Sequence, residues 1–227
     1  ITSPLTFMAS ANCIEFCGGR ADFVDIDPDT LCLSAEKLEI YCRDVAVPKV
    51  VVPVDFAGVP ADLPKFHALS KKYGFHIIED AAHSIGSTYD WNGTPVSCGS
   101  CVHSDAAIFS FHPVKTITTG EGGAVLTNDN KLADRIRLMR SHGIERRGEL
   151  LTKNDGPWYH EMTDISYNCR ITDFQCALGL SQLKKLEAFK SRRREIVDRY
   201  NDAFYKFDEI KLPPAPKNSS ICYHLYT

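Results

Sequence analysis

Apolar and polar residues follow two alternating periods along the first half of the chain, one typical of strands and the other of helices. Short apolar and β-branched runs predict three strands, at residues 21–26, 49–54 and 75–79. Helical spacing predicts three helices, at residues 6–17, 34–42 and 63–73. Gly18 and Gly74 stand where the first and third helices should stop. This succession predicts an α/β fold with a mostly parallel sheet flanked by helices.

The second half of the chain departs from this succession. Strands are predicted at residues 105–111 and 123–127, and the short connection between them has no room for a crossover helix, so we expect a local pair. Further elements are a helix at 131–140, a polar loop at 144–165 and a long helix at 172–207. A proline-rich linker at 212–216 precedes a strand at 220–226. We therefore predict a large domain at residues 1–190, and a connecting helix and the start of a smaller domain at 191–227.

Composition narrows the class of protein. The 227 residues are 44% hydrophobic and carry a formal net charge of −3, with no basic face of the kind that binds nucleic acid. No apolar run approaches the ~20 residues of a membrane span. Nine cysteines, an odd number without regular spacing, favour reduced thiols in a cytoplasmic protein. The expected partners are small molecules and copies of the chain itself.

Asp80 and Lys115 are the first candidates for chemistry. Asp80 ends an apolar strand, and ligands of open α/β sheets bind beyond the carboxyl ends of strands. The alternative is an ordinary turn or helix-capping residue. Lys115 lies between an apolar strand and a glycine-rich turn, where a desolvated amine can attack an aldehyde. The alternative is a solvated surface lysine.

Four blocks of sequence, in order, carry a family resemblance. They are residues 3–12 (SPLTFMASAN), 79–83 (EDAAH), 110–123 (SFHPVKTITTGEGG) and 167–173 (YNCRITD). Together they resemble the DegT/StrS family of nucleotide-sugar aminotransferases. The block around Lys115 is similar to the branch that aminates a UDP-linked 4-keto-6-deoxy sugar in pseudaminic acid biosynthesis.

The resemblance implies a fold, a cofactor and a reaction. The fold is that of the type I pyridoxal-phosphate transferases, similar to aspartate aminotransferase. The cofactor is pyridoxal 5'-phosphate, and the reaction moves an amino group from an amino acid, with glutamate expected, to a keto sugar. The family's phosphate-binding Gly-Thr or Gly-Ser turn is expected to precede Ile1, and most of the small domain is expected to follow this chain.

The resemblance also implies site residues. Lys115 holds the cofactor as a Schiff base and moves protons, while Asp80 keeps the pyridine nitrogen protonated. His83 lies near the ring oxygen, Phe7 stacks on the ring, and Ser110 binds the phosphate. The alternatives are a histidine satisfied in the core or a turn, a phenylalanine in a helix core, and a strand serine without such a role.

Two residues are expected to act between subunits or on the sugar nucleotide. Asn168 reaches the phosphate in the neighbouring subunit, so that a homodimer shares its active sites, and Arg170 binds the nucleotide-sugar. Alternatively, both belong to a loop that leads into a helix capped by Thr172 or Asp173.

Other functions compete with this interpretation. Cys98 and Cys101 form a single C-x-x-C motif, which is a weak signal for a metal or redox site, so no metal is predicted. A sugar dehydratase of the same family typically has a histidine in place of the lysine, so Lys115 favours transamination. A non-catalytic regulator with this fold would not need both Lys115 and Asp80.

Overall fold

The computed structural model describes residues 1–153 and 155–227. The helices in chain order are α1 (Ala9–Phe16), α2 (Ala35–Asp44), α3 (Leu63–Tyr73), α4 (Asn130–Met139), α5 (Asp173–Leu183) and α6 (Leu186–Phe204). The strands are β1 (Val50–Val51), β2 (His76–Asp80), β3 (Thr88–Trp91), β4 (Thr94–Ser97), β5 (Ala106–Ser110), β6 (Gly123–Leu126), β7 (Ile144–Glu145), β8 (Glu161–Met162) and β9 (Ser219–Ser220).

The central sheet has four strands in the order β1-β2-β5-β6. β2 pairs in parallel with β1 and with β5, whereas β6 pairs antiparallel with β5. The predicted mixed, mostly parallel sheet and the predicted local pair of strands are confirmed. The carboxyl ends of β2 and β5 lie side by side, because Asp80 pairs with Ile108.

Local sequence signals fix several helix ends. The Ser34 hydroxyl accepts a hydrogen bond from the Lys37 N–H at the start of α2, and Asp62 caps α3 in the same way. Gly74 ends α3 in the left-handed conformation, as its position predicts. Thr172 begins α5 with a capping box that includes Gln175, which leaves Asp173 as the first helical residue.

The hydrophobic core lies between the sheet, α2 and α3, and the chain's last residues pack against it. Leu38, Phe66 and Val51 are completely buried there, and Ile221 and Tyr223 join the same cluster. Burial of each large apolar side chain contributes about 1.5–3 kcal/mol, so this cluster fixes the position of the strand ends that lead into the candidate site.

Some predicted elements differ from the structure. Residues 21–26 form only isolated bridges at Phe23 and Ile26 rather than a strand. The predicted strand at 49–54 is regular only in β1, because Pro53 has no N–H to donate, although Val52 and Val54 still make bridges. The long helix predicted at 172–207 is two helices, α5 and α6, separated at Lys184 and Lys185.

A β-hairpin formed by β3 and β4 was not predicted. Its turn is Asn92-Gly93, and both residues have positive φ angles, 54° and 81°. Asn-Gly is a strong signal for such a two-residue turn, so the sequence contained the information. The polar loop at 144–165 likewise contains a short antiparallel pair, β7 and β8.

The C-terminal segment returns to the body of the chain. The strand predicted at 220–226 is wrong except for Ser220, which belongs to β9 and pairs antiparallel with β3. The division of the chain at residue 190 stays a prediction, and that position lies within α6. Among the described residues, no helix combines the length and apolar composition needed to cross a membrane.

Candidate active site

Asp80 lies at the carboxyl end of β2 and is 6% exposed. Its Oδ2 accepts a hydrogen bond of 2.7 Å from the Ser10 hydroxyl, and its Oδ1 accepts one of 3.1 Å from the Ala82 N–H. The residues after it form a turn rather than a helix, so the helix-capping alternative for Asp80 is excluded. α1 therefore supplies a donor that orients this carboxylate.

Lys115 lies in the loop between β5 and β6, and its side chain is partly buried. Burial lowers the pKa of its ammonium group, and the Asp80 carboxylate opposes part of that lowering. The loop is fixed by a hydrogen bond of 2.9 Å from the Lys115 N–H to the His112 carbonyl. Lys115 is therefore not a freely solvated surface lysine. Its ammonium group interacts electrostatically with the Asp80 carboxylate.

His83 follows Asp80 by three residues, and the Lys115 charge acts on His83 as the Asp80 charge acts on Lys115; the region of these three side chains is called the cleft. Its Nδ1 accepts a hydrogen bond of 3.3 Å from the Ala57 N–H. Burial lowers the pKa of His83 to about 3, and the Lys115 charge contributes to the lowering. The imidazole is therefore neutral near pH 7, with its proton on Nε2.

Ser110 and Phe7 belong to or adjoin elements that contact the strand of Asp80. Ser110 ends β5, beside the strand that ends in Asp80, and its hydroxyl accepts a hydrogen bond of 3.4 Å from the His112 N–H. Phe7 precedes α1 by two residues and is 67% exposed, so the helix-core alternative is excluded. α1 also carries Ser10, the residue that binds Asp80.

Asn168 and Arg170 lie in a different part of the chain. Asn168 forms a bridge with Ser141, and its side-chain oxygen accepts a hydrogen bond of 3.0 Å from the Arg170 N–H. The Arg170 guanidinium donates to the Ser141 hydroxyl at 2.8 Å. Among the described hydrogen bonds, none joins either residue to Lys115, Asp80 or His83.

A second cluster of titratable groups lies behind Asp80. Ligand-type atoms of Asp55, Glu79 and Cys98 all lie within 4.8 Å of one another, and all three residues are buried. Burial raises the pKa of both carboxyl groups, and the Asp55 charge raises that of Glu79 further. We infer that Glu79 keeps a proton that it shares with Asp55.

This cluster does not form a C-x-x-C site. The pKa of the Cys98 thiol is raised by burial and by both carboxyl groups, so the thiol keeps its proton. Cys101 is not one of the three clustered residues, and its Sγ donates instead to the Leu126 carbonyl at 3.3 Å. The two cysteines of the motif therefore do not meet in one ligand set.

Three residues close to the site were missed by sequence reasoning. They are Ser10 on Asp80, Asp55 beneath it, and His224, whose ring lies 4.4 Å from that of His83. Neither Ser10 nor His224 has a sequence signal of its own, because each reaches the cleft through long-range packing. Asp55 ends a short apolar run just as Asp80 does, and that pattern could have identified it.

A depression of about 1350 Å³ lies between β6, α4 and α5. Its lining is mainly apolar and includes Arg170, but not Lys115, Asp80 or His83. Lys115, with its lowered pKa, and the buried carboxylate of Asp80 therefore lie outside this depression.

Comparisons with known proteins extend these observations. The model of the DegT/DnrJ/EryC1/StrS aminotransferase family matches residues 1–227. The UDP-4-amino-4,6-dideoxy-N-acetyl-beta-L-altrosamine transaminase of Campylobacter jejuni is 39% identical over 230 residues, which cover 100% of this chain and 56% of that protein. The chain thus spans little more than half the length of this curated relative.

Solved structures give the same result. PseC of Helicobacter pylori, an aminotransferase of pseudaminic acid biosynthesis, matches with a TM-score of 0.81 and 33% identity over 99% of this chain and 56% of its own. The PLP-form of the putative sugar aminotransferase Spr1654 of Streptococcus pneumoniae matches with a TM-score of 0.80 and 28% identity, over 98% of this chain and 57% of its own. The predicted fold class is confirmed by these similarities.

Proposed function

Because the chain belongs to the DegT/DnrJ/EryC1/StrS aminotransferase family, we propose that it acts as part of an aminotransferase that depends on pyridoxal phosphate. The reaction transfers an amino group from an amino acid, most simply glutamate, to the keto carbon of a nucleotide-linked 4-keto-6-deoxy sugar. The observation that carries the proposal is the partly buried Lys115, whose pKa is lowered by burial and whose ammonium group interacts electrostatically with the Asp80 carboxylate. The similarity to an altrosamine transaminase supports the class of sugar.

The residues of the cleft fit the cofactor. Pyridoxal phosphate supplies an aldehyde that reacts with amines and a ring that withdraws electrons from the reacting carbon. Lys115 offers an amine to the aldehyde, and Asp80 offers a buried carboxylate to hold the proton of the pyridine nitrogen. Ser10 and the Ala82 N–H keep that carboxylate in place with two hydrogen bonds.

Three other residues complete the proposed cofactor site. Neutral His83 has its Nε2–H free to donate to the ring oxygen, because its Nδ1 is occupied by the Ala57 N–H. Phe7, exposed beside α1, is available to stack on the ring. Ser110 contributes a hydroxyl for the phosphate at the end of β5, next to the end of β2.

The state of Lys115 matters to the reaction. Desolvation increases the fraction of uncharged amine at a given pH, and only the uncharged amine is a nucleophile. Once released by the incoming amino donor, the same amine can carry a proton from the donor's Cα. The donor leaves its amino group at the site, and the keto sugar takes it up in a second stage.

We propose that the active enzyme is a homodimer with shared sites. The segment around Asn168 exposes large apolar side chains to solvent: Ile165 is 89%, Tyr167 82% and Phe174 90% exposed. Such a patch is typical of a protein interface. An interface there would place Asn168 and Arg170 beside the partner's cleft, where Asn168 would bind the phosphate and Arg170 the nucleotide-sugar.

We also propose a cytoplasmic location. All nine cysteines are free, and Cys98, Cys101 and Cys222 are buried thiols. Free thiols in this number are typical of a reducing compartment.

The central test replaces Lys115 in the full-length protein. Lys115→Ala should remove the cofactor adduct that borohydride fixes covalently, as measured by mass spectrometry, and lower turnover by at least about 10²–10⁴-fold. Lys131→Ala, at an exposed lysine of α4, is the matched control. Full activity in the Lys115 variant would refute the proposal.

Shared sites have a separate test. Mixing inactive Lys115→Ala subunits with inactive Asn168→Ala subunits should restore partial activity, because some mixed dimers then contain one intact site. A mixture that stays inactive, although mass spectrometry shows mixed dimers, would contradict the shared site but not the chemistry at Lys115.

A further inference from the structure

Residues 221–224 are held firmly against the cleft. The Cys222 N–H donates to the Ser87 hydroxyl at 2.8 Å. Arg193 of α6 donates to the carbonyl oxygens of Tyr223 and His224, each at 3.1 Å. These hydrogen bonds fix the main chain at His224, from which its side chain extends.

The turn at Ala57 and Gly58 connects this segment to His83. The Ala57 N–H donates to His83 Nδ1, and the Ala57 carbonyl accepts from the His224 N–H at 2.8 Å. Gly58 has a φ of 98°, and a Cβ there would lie 2.2 Å from the Cys222 carbonyl oxygen. One residue therefore positions both histidines, and only glycine next to it lets the segment approach this closely.

The two imidazole rings are in contact. Their centroids are 4.4 Å apart and their planes are tilted by 48°. His224 Nδ1 is buried and has no hydrogen-bond partner among the described residues. A buried N–H without a partner would be more costly than a bare nitrogen lone pair, so the proton of His224 belongs on Nε2.

Neither histidine carries a charge near pH 7. Burial lowers the pKa of His224 to about 4, and the cations of Lys115 and Arg193 add to the lowering. His83 is lowered in the same way. The cleft beside Lys115 thus contains two neutral rings, each with its Nδ1 turned to the protein and its Nε2–H available as a donor.

We propose that His224 is a further ligand-contacting residue of this cleft, where its Nε2–H donates a hydrogen bond to an acceptor oxygen of the ligand bound beside His83. This inference rests on the proposed function. The acceptor is either the ring oxygen of pyridoxal phosphate or an oxygen of the sugar, and the experiments below distinguish the two.

The first experiment measures the tautomer of His224 by NMR in the full-length protein with labelled histidine. We expect a neutral ring with its proton on Nε2 at pH 7, both with and without added pyridoxal phosphate. His224→Gln identifies the resonance. A proton on Nδ1, or a charged ring at pH 7, would overturn the proposal whatever the protein's reaction is.

The second experiment measures the ligand contact with His224→Ala and with His224→Gln, which keeps a donor. If the acceptor is the cofactor's ring oxygen, the alanine variant should shift the pH dependence of the bound cofactor's visible absorption upward by roughly one unit. The reason is that the donor withdraws negative charge that otherwise holds a proton on the neighbouring nitrogen. If the acceptor is on the sugar, KM for the sugar should rise roughly 5- to 30-fold, with the absorption unchanged.

The glutamine variant should recover part of either effect. Thermal melting of both variants checks that the 221–224 segment remains folded. Unchanged absorption and unchanged KM in the folded His224→Ala variant would overturn the proposed role of His224 but not the proposed function. A wild-type protein that binds no pyridoxal phosphate would instead refute the proposed function.

Discussion

Glu79 and Asp80 are consecutive residues of β2, and their side chains meet entirely different surroundings. Successive side chains of a strand point to opposite faces of a sheet. Glu79 accepts hydrogen bonds from the Gly99 N–H at 2.8 Å and the Ser104 hydroxyl at 3.4 Å, and lies near Asp55. Asp80 accepts from Ser10 and Ala82 and lies in the cleft of Lys115.

The difference shows how the same chemical group acquires two roles. Glu79 is surrounded by protein and by another carboxyl group, which raises its pKa and keeps it protonated. Asp80 instead accepts a hydrogen bond from the Ser10 hydroxyl, and its carboxylate opposes the lowering of the Lys115 pKa. Burial of a titratable residue is therefore not enough to assign it to a functional site. The residue must also lie beside a group that a ligand could contact, as Asp80 does and Glu79 does not.

The largest effect is expected at Asp80. Asp80→Asn keeps the size of the side chain but removes the charge that holds the pyridine proton. We expect turnover of the full-length enzyme to fall by about 10²–10³-fold, with the cofactor still bound. Asp202→Asn, at an exposed aspartate of α6, is the control. Turnover close to wild type would contradict the proposal that Asp80, unlike Glu79, takes part in the reaction.

A smaller effect is expected at Ser10. Ser10→Ala removes the hydroxyl that donates to Asp80 at 2.7 Å, and kcat/KM should fall by about 10-fold, as for a hydrogen bond to a charged group. Ser70→Ala, which removes a hydroxyl bound within α3, should have little effect on kcat/KM. In the Asp80→Asn background the Ser10 substitution should cost less, and an equal cost in both backgrounds would show that Ser10 does not act through Asp80.

The smallest effect on activity, but a clear one on stability, is expected at Glu79. Burial raises the pKa of Glu79 from 4.5 to about 9 in the folded protein. The folded state is therefore most stable, as far as Glu79 is concerned, below pH 4.5, and this contribution to the free energy of unfolding is lost as the pH rises to about 9. Glu79→Gln should weaken this decline. The free energy of unfolding of the variant relative to wild type should rise by on the order of 1–3 kcal/mol when the pH is raised from about 5 to about 8. Urea unfolding at both pH values measures it.

Glu209→Gln, at an exposed glutamate, should leave the pH dependence of unfolding unchanged. If the stability of Glu79→Gln declines with pH as that of wild type does, the inference that Glu79 shares a proton with Asp55 is wrong. If it abolishes turnover while remaining folded, the two faces of β2 are not independent.

Much of the fold and part of the site followed from local patterns. The ends of α3, the start of α5 and the antiparallel pair of β5 and β6 each depend on residues close together in the chain, and the structure contains all of them. The break between α5 and α6 was not predicted, since neither glycine nor proline marks it. The β3–β4 hairpin was missed although Asn92-Gly93 signalled it.

The sequence by itself determined the alternation of helices with the central strands, the family, and the candidates Lys115, Asp80 and His83, because periodicity, turn residues and ordered motifs are properties of neighbouring positions. Tertiary structure decided which of these groups share a cleft and which neighbouring groups join them. Ser10 reaches Asp80 across 70 residues, and His224 reaches His83 through a turn at Ala57. Such contacts form only when distant segments pack together, and burial, which sets the pKa values of Lys115 and Glu79, exists only after they have packed.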